Sequence, residues 1–131
     1  MTGPKAMLGA PGHWQRLASW RPFRPPGGDR AAREPWRSAA ALHWEAGLPF
    51  QTATVDVSLP HAAWRAGINA PGTSAIGRLF DAAAWRLLGL DTCSFEAQAP
   101  MMLESLARRA PNAGSVVPLP VALDACGVLR T

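Results

Sequence analysis

The sequence predicts an α+β chain, mainly α, with short strand fragments at both ends. Three observations carry that expectation. Ile76, Leu79, Phe80, Ala83, Ala84, Leu87 and Leu88 recur at spacings of three, four, seven and eight, which is the signature of a helix with one unbroken apolar face. Weaker helical spacing recurs after Pro35 and after Pro100, each at a position suited to a first helical turn. Thirteen prolines and twelve glycines among 131 residues cut the rest into short pieces. A chain of this length makes at most one domain with a small core, and 48% apolar content argues against wholesale disorder.

Taken in order, residues 1–12 show no clear periodicity. His13 to Phe23 reads as extended, and Pro22, Pro25 and Pro26 confine any strand there to an edge or end it. Pro25-Pro26-Gly27-Gly28 is a turn or loop, after which Asp29 is placed to cap a short helical turn. Pro35 opens a helix to Glu45 or Ala46 that buries Trp36, Ala39, Ala40, His43 and Trp44, and Gly47 is placed to end it in a left-handed conformation. Thr52 to Val57 alternates as a brief strand would, and Pro60 to Ile68 reads as a short helix. Residues 67–72 form a loop, and Thr73 or Ser74 caps the strong helix, which Gly89 stops. A helix from Ala99 to Ala110 buries Met102, Leu103 and Leu106 before Pro111 closes it. Ser115 to Leu119 and Val128 to Leu129 read as strand fragments around a turn at Ala125 to Gly127.

Charge is uneven within a net +4. Residues 1–37 hold seven basic side chains against Asp29 and Glu34, and the remainder holds six against seven acids. A basic first third attracts phosphates, but no nucleic-acid-binding motif accompanies it, which counts against a nucleic-acid partner. An arginine-rich, alanine-rich composition explains the charge equally well. No stretch approaches the ~20 apolar residues of a membrane span, and no signal-like run opens the chain. Free thiols in a reducing cytoplasm are the expectation for Cys93 and Cys126. His13, His43 and His61 are scattered without ligand spacing, so no metal site is read from them.

Asp81 is the acid that stands out. It lies opposite the leucine stripe, one turn after Arg78, where an exposed ion pair contributes a few tenths of a kcal/mol. The competing reading is a rigidly held carboxylate that contacts a ligand's hydroxyls. Glu96 is similar, either an ordinary acid favouring a helix start or a second ligand contact. Trp85 also falls on the polar side of this helix, which points to contact with a further layer of protein.

Three blocks together resemble one enzyme family. They are Leu17 to Arg37, with Arg21-Pro22-Phe23, Pro26-Gly27-Gly28-Asp29 and Arg33-Glu34-Pro35-Trp36-Arg37; Gly67 to Leu90, with Gly-Ile-Asn-Ala-Pro and Gly77-Arg78-Leu79-Phe80-Asp81; and Ser94 to Ala107. In this order they resemble the hydrogenase-maturation carbamoyltransferases of HypF type. The resemblance implies the helical portion of an ASKHA-type, Kae1-like carbamoyltransferase domain, similar to the universal tRNA threonylcarbamoyl transferases. It implies a partial domain over 1–131, extended or looped over 1–28, helical over 29–110, with loop and strand fragments over 111–131.

By the same resemblance Asp81 is a candidate nucleotide contact at an adenosine ribose, with Arg78 and Glu96 as neighbours and no catalytic residue in the chain. The family makes carbamoyl-adenylate from carbamoyl phosphate and ATP. It then passes the carbamoyl group to the carboxy-terminal cysteine of a HypE-type partner, on the way to the cyanide ligand of nickel–iron hydrogenase. The family's metal ion is held by a histidine cluster and an Asp, and its phosphates by a Gly-Gly segment, none of which has a counterpart in these residues. Ala97 stands where the family has Gly, and Phe95 where it has Tyr. The chain is therefore expected to be inactive alone and to need the missing parts of the transferase. Its alternatives are a small basic helical module for an anionic partner, or a relic without function.

Overall fold

Pro11 and Gly12 reverse the chain between two strands, with Gly12 at φ 86° supplying the left-handed residue that the turn requires. The computed structural model describes residues 5–111, 117–118, 120–124 and 128–130. Strand β1 (Lys5–Ala10) pairs antiparallel with β2 (His13–Trp20), with Ala10 opposite His13, Gly9 opposite Trp14, and a slip in register between Ala6 and Met7. The sequence reading missed β1. Met7 and Leu8 are consecutive and both exposed, so no alternation marks the strand.

Strand β2 stops at Trp20, before the prolines. Along its far edge it runs parallel to β4 (Val128–Arg130), which pairs antiparallel with β3 (Ala122–Leu123), giving the order β1-β2-β4-β3. The expected strand at 115–119 lies largely outside the described residues, as does the turn at 125–127. Strands from near both ends of the chain thus share one sheet, but among the described residues they enclose no finished core. Met7, Leu8, Trp14 and Leu17 remain exposed on this sheet.

The helices carry the packing. A 3-10 turn (Gly28–Ala32) follows Gly27, which at φ 88° occupies the cap position expected of Asp29; Asp29 sits in the first turn instead. Helix α1 (Pro35–Glu45) begins at its proline as expected, and Gly47 follows it in the left-handed region. Helix α2 (Ser58–Arg65) starts two residues earlier than predicted and ends earlier as well. Helices α3 (Ile76–Leu88) and α4 (Gln98–Arg109) complete the set, and α3 packs on both α1 and α4. The core gathers Trp36, Ala39, Ala40 and Trp44 of α1 with Phe50, Trp64, Ala70 and Ala82. His43 is half-buried; its ring meets Phe50 and Trp85 edge-on.

Residues 52–57 form no strand. The hydroxyls of Thr52 and Thr54 turn instead to the carboxylate of Asp91, which also accepts the indole N–H of Trp85 at 2.7 Å. Trp85 therefore finds its contacts inside this chain, with the Phe50 ring 4.8 Å away. The further layer of protein expected over it is not needed to explain it. In α4 the buried line is Ala99, with Leu103 and Leu106 half-buried, whereas Met102 is exposed.

Candidate functional site

The loop Pro25 to Gly28 is built by two close approaches. A methyl group on Gly27 would lie 2.5 Å from Nη1 of Arg37, and one on Gly28 would lie 2.9 Å from Oδ1 of Asn69. Both glycines also sit at positive φ, so side chains are excluded by conformation and by space. Arg37 is itself buried. It donates to both carboxylate oxygens of Glu34 at 3.1 and 3.3 Å and to the carbonyl of Pro26 at 3.4 Å, and it lies over the Trp36 ring. A guanidinium can do this because its planar fork matches a carboxylate while its face stacks on an aromatic ring.

Opposite this loop runs the segment Asn69 to Thr73. Gly27 N–H donates to Asn69 O at 2.9 Å, and Phe23 and Thr73 exchange backbone hydrogen bonds at 2.9 and 2.8 Å. The Thr73 hydroxyl accepts from the N–H of Ala75, just before α3 begins. Cys93 N–H donates to Arg33 O at 2.7 Å, which ties the link between α3 and α4 to the end of the 3-10 turn.

These segments enclose an open cavity of about 720 Å³. Arg30, Arg33 and Arg78 line it together with Asp29, Glu34 and Glu96, between the 3-10 turn and Pro71 to Thr73. Two of the three residues singled out from the sequence, Arg78 and Glu96, thus share one cavity from different elements. Arg30 and Glu34 are 3.4 Å apart as an ion pair.

Asp81 lies one turn deeper and does not line the cavity. It is 1% exposed, not the solvated acid expected from the leucine stripe. The face it shares with Ala82, Ala84 and Trp85 is the one that α1 and α4 cover, because small side chains let helices approach closely. Arg78 Nε stands 3.0 Å from Asp81 Oδ2, in charge contact without an aligned hydrogen bond. Burial pushes the carboxyl up to about 6 against the opposing pull of Arg78. Burial also raises the Cys93 thiol, with Asp81 adding to the rise, so this cysteine is not an activated nucleophile. Among the described residues no group of three or more His, Cys, Asp or Glu is placed to hold a metal ion.

Sequence reasoning passed over Arg37 and Asn69, although both fall in blocks it had singled out. Glycines at 27 and 28 signal a close approach, but not which side chain makes it.

The comparisons with known proteins agree with this architecture. Residues 3–130 match the family model described as the carbamoyltransferase Kae1-like domain, second subdomain. HypF2 of Cupriavidus necator is 43% identical over 113 residues, covering 80% of this chain and 14% of its own length. HypF of Rhodobacter capsulatus is 41% identical over 126 residues, covering 90% of this chain and 16% of its own length. The fold is similar to that of a full-length HypF crystallised in a phosphate- and nucleotide-bound form, with a TM-score of 0.78 at 21% identity over 97% of this chain and 17% of that one. It is also similar to HypF of T. kodakarensis, with a TM-score of 0.71 over 89% of this chain. The chain thus spans about one-sixth of the length of these relatives. It belongs to the HypF-type carbamoyltransferase family, as a portion of the Kae1-like domain.

Proposed function

We propose that this chain supplies one wall of the nucleotide site of a carbamoyltransferase that acts in nickel–iron hydrogenase maturation, and that it is inactive without the rest of that enzyme. The observation that carries the reading is the convergence of Arg78 and Glu96 on one cavity, with the Asp81 carboxylate beneath the guanidinium. A guanidinium at the wall favours an anionic ligand, and an exposed carboxylate accepts hydrogen bonds from ribose hydroxyls. In this reading Asp81 acts through Arg78 by fixing its Nε. ATP and carbamoyl phosphate are the co-substrates of the whole enzyme, a HypE-type protein is its partner, and the cytoplasm is its location. In this reading other segments of the enzyme hold the family's metal ion. Among the described residues no helix is long and apolar enough to cross a membrane.

The test is calorimetric titration of the purified chain with adenosine and with ATP, repeated for Glu96→Ala and Arg78→Ala. Binding weakened about tenfold or more in each variant, the scale of a lost charge-assisted hydrogen bond, is the expected result. Equal affinity in all three proteins, or carbamoyl-phosphate-dependent turnover by the chain alone, overturns the reading.

A further inference from the structure

Part of the apolar stripe of α3 is packed inside the chain, with Ala84 buried and Ile76, Leu79, Ala83 and Leu88 half-buried, and part of it is not. Helix α3 turns Asp81, Ala82 and Ala84 inward, while Phe80 and Leu87 stay 43% and 64% exposed. Ile76, Phe80, Ala83 and Leu87 fall at i, i+4, i+7 and i+11, one line down the helix that is half-buried at Ile76 and Ala83 and exposed at Phe80 and Leu87. Beside that line lies a groove of about 440 Å³ between Phe80 and the α4 side chains Pro100, Met101, Leu103 and Ala107. Its charged member, Glu104, is taken up by Arg108 at 2.6 Å, so the groove presents no unpaired charge to an ionic partner. Soluble monomers rarely leave such a contiguous apolar surface open.

We infer that this face, the exposed part of that α3 line with its groove against α4, is the docking surface for an apolar element of the neighbouring subdomain of the carbamoyltransferase. Two observations choose that occupant. The matched family model is one subdomain of a larger domain, so a companion subdomain is part of the fold. The relatives carry this segment within chains of which it is only 14–17%, so ample polypeptide is available to cover it. The face lies on the same helix that carries Arg78 to the cavity, so docking there fixes α3 relative to the rest of the enzyme. This inference rests on family membership and is independent of the nucleotide reading.

The test has two arms. In the first, the chain replaces its matching segment in HypF2 of Cupriavidus necator, with a photo-crosslinking amino acid at position 87. Crosslinks that map to residues of HypF2 outside the replaced segment, within one molecule, are expected. Crosslinks to a second molecule, or confined to this chain's own residues, overturn the inference. In the second, the chain alone is examined by sedimentation and by binding of a hydrophobic dye, beside Leu87→Asp. A monomer whose dye signal falls severalfold in the variant, with unchanged thermal unfolding, is the expected result. A concentration-dependent dimer abolished by Leu87→Asp assigns the face to a second copy and overturns it, as does a monomer that binds no dye.

Discussion

Arg78 Nε lies 3.0 Å from Asp81 Oδ2, and of the two residues the arginine reaches the cavity while the aspartate is sealed beneath it. The pair therefore couples a buried titration to a surface group. Burial pushes the Asp81 carboxyl from its ordinary 3.8 up to about 6, so the folded chain holds a proton that the unfolded chain has released across that interval. The stabilisation from this group is complete below about pH 4 and is lost as pH rises through about 6. Asp91 works in the opposite sense. Although burial raises it, hydrogen bonds from Thr54, Thr52 and Trp85 bring it below the usual carboxylate range, and its contribution is lost on acidification. Asp81→Asn is expected to raise stability at pH 7 by about 1–3 kcal/mol and to flatten the fall between pH 4.5 and 7. Denaturant titrations of both proteins across that range check this; parallel pH profiles would refute it.

The close fit of Gly27 against Arg37 predicts an asymmetry between two glycines of similar φ. Gly27→Ala forces a methyl group to 2.5 Å from a guanidinium held by Glu34 and Pro26, and about 2–4 kcal/mol of destabilisation is expected. Gly12 has φ 86° with nothing within 4 Å of the added atom. Gly12→Ala is therefore expected to cost about 1 kcal/mol from backbone conformation alone. Equal losses in the two variants, read from chemical denaturation, would remove the steric part of the argument.

Asp91 gathers the 52–54 segment and Trp85 onto one carboxylate. Asp91→Ala leaves the indole N–H and two hydroxyls without this acceptor and is expected to cost about 2–3 kcal/mol. A cycle combining it with Trp85→Phe should return about 1 kcal/mol of coupling, with a change in tryptophan emission that is absent from the Trp85→Phe background. Strict additivity would place the two residues in separate roles.

Ala97 is a β-carbon-bearing residue held at φ 65° immediately before α4. The left-handed region penalises a side chain by about 1–2 kcal/mol, a cost that glycine escapes. Ala97→Gly is expected to stabilise the chain by about 1 kcal/mol. Thermal unfolding that is unchanged or lowered in the variant would contradict it.

Local signals carried the helices well. Proline at a first turn, glycine after a last turn and apolar spacing of 3.6 residues mark α1, α3 and α4 to within about two residues. Family membership was likewise legible in the order of three short blocks. The sheet was less legible, because β1 is exposed on its apolar positions and so carries no alternation, and because β2 meets β4 from the far end of the chain.

The apolar stripe of α3 was only partly predictive of what this chain buries, since Ala84 is sealed and Phe80 and Leu87 are exposed. Periodicity shows that a helix has an apolar side, but not which side its own neighbours will take. Asp81 and Ala84 are interior and Trp85 partly so, where α3 packs on alanine-rich α1 and on α4, while Phe80 and Leu87 of the apolar stripe are left outward. Residue types and spacing, which act over one or two turns, were enough to name the elements and the family. Burial of Asp81, its raised titration and the meeting of Arg78 with Glu96 depend on contacts between segments far apart in the chain, and packing alone decides those.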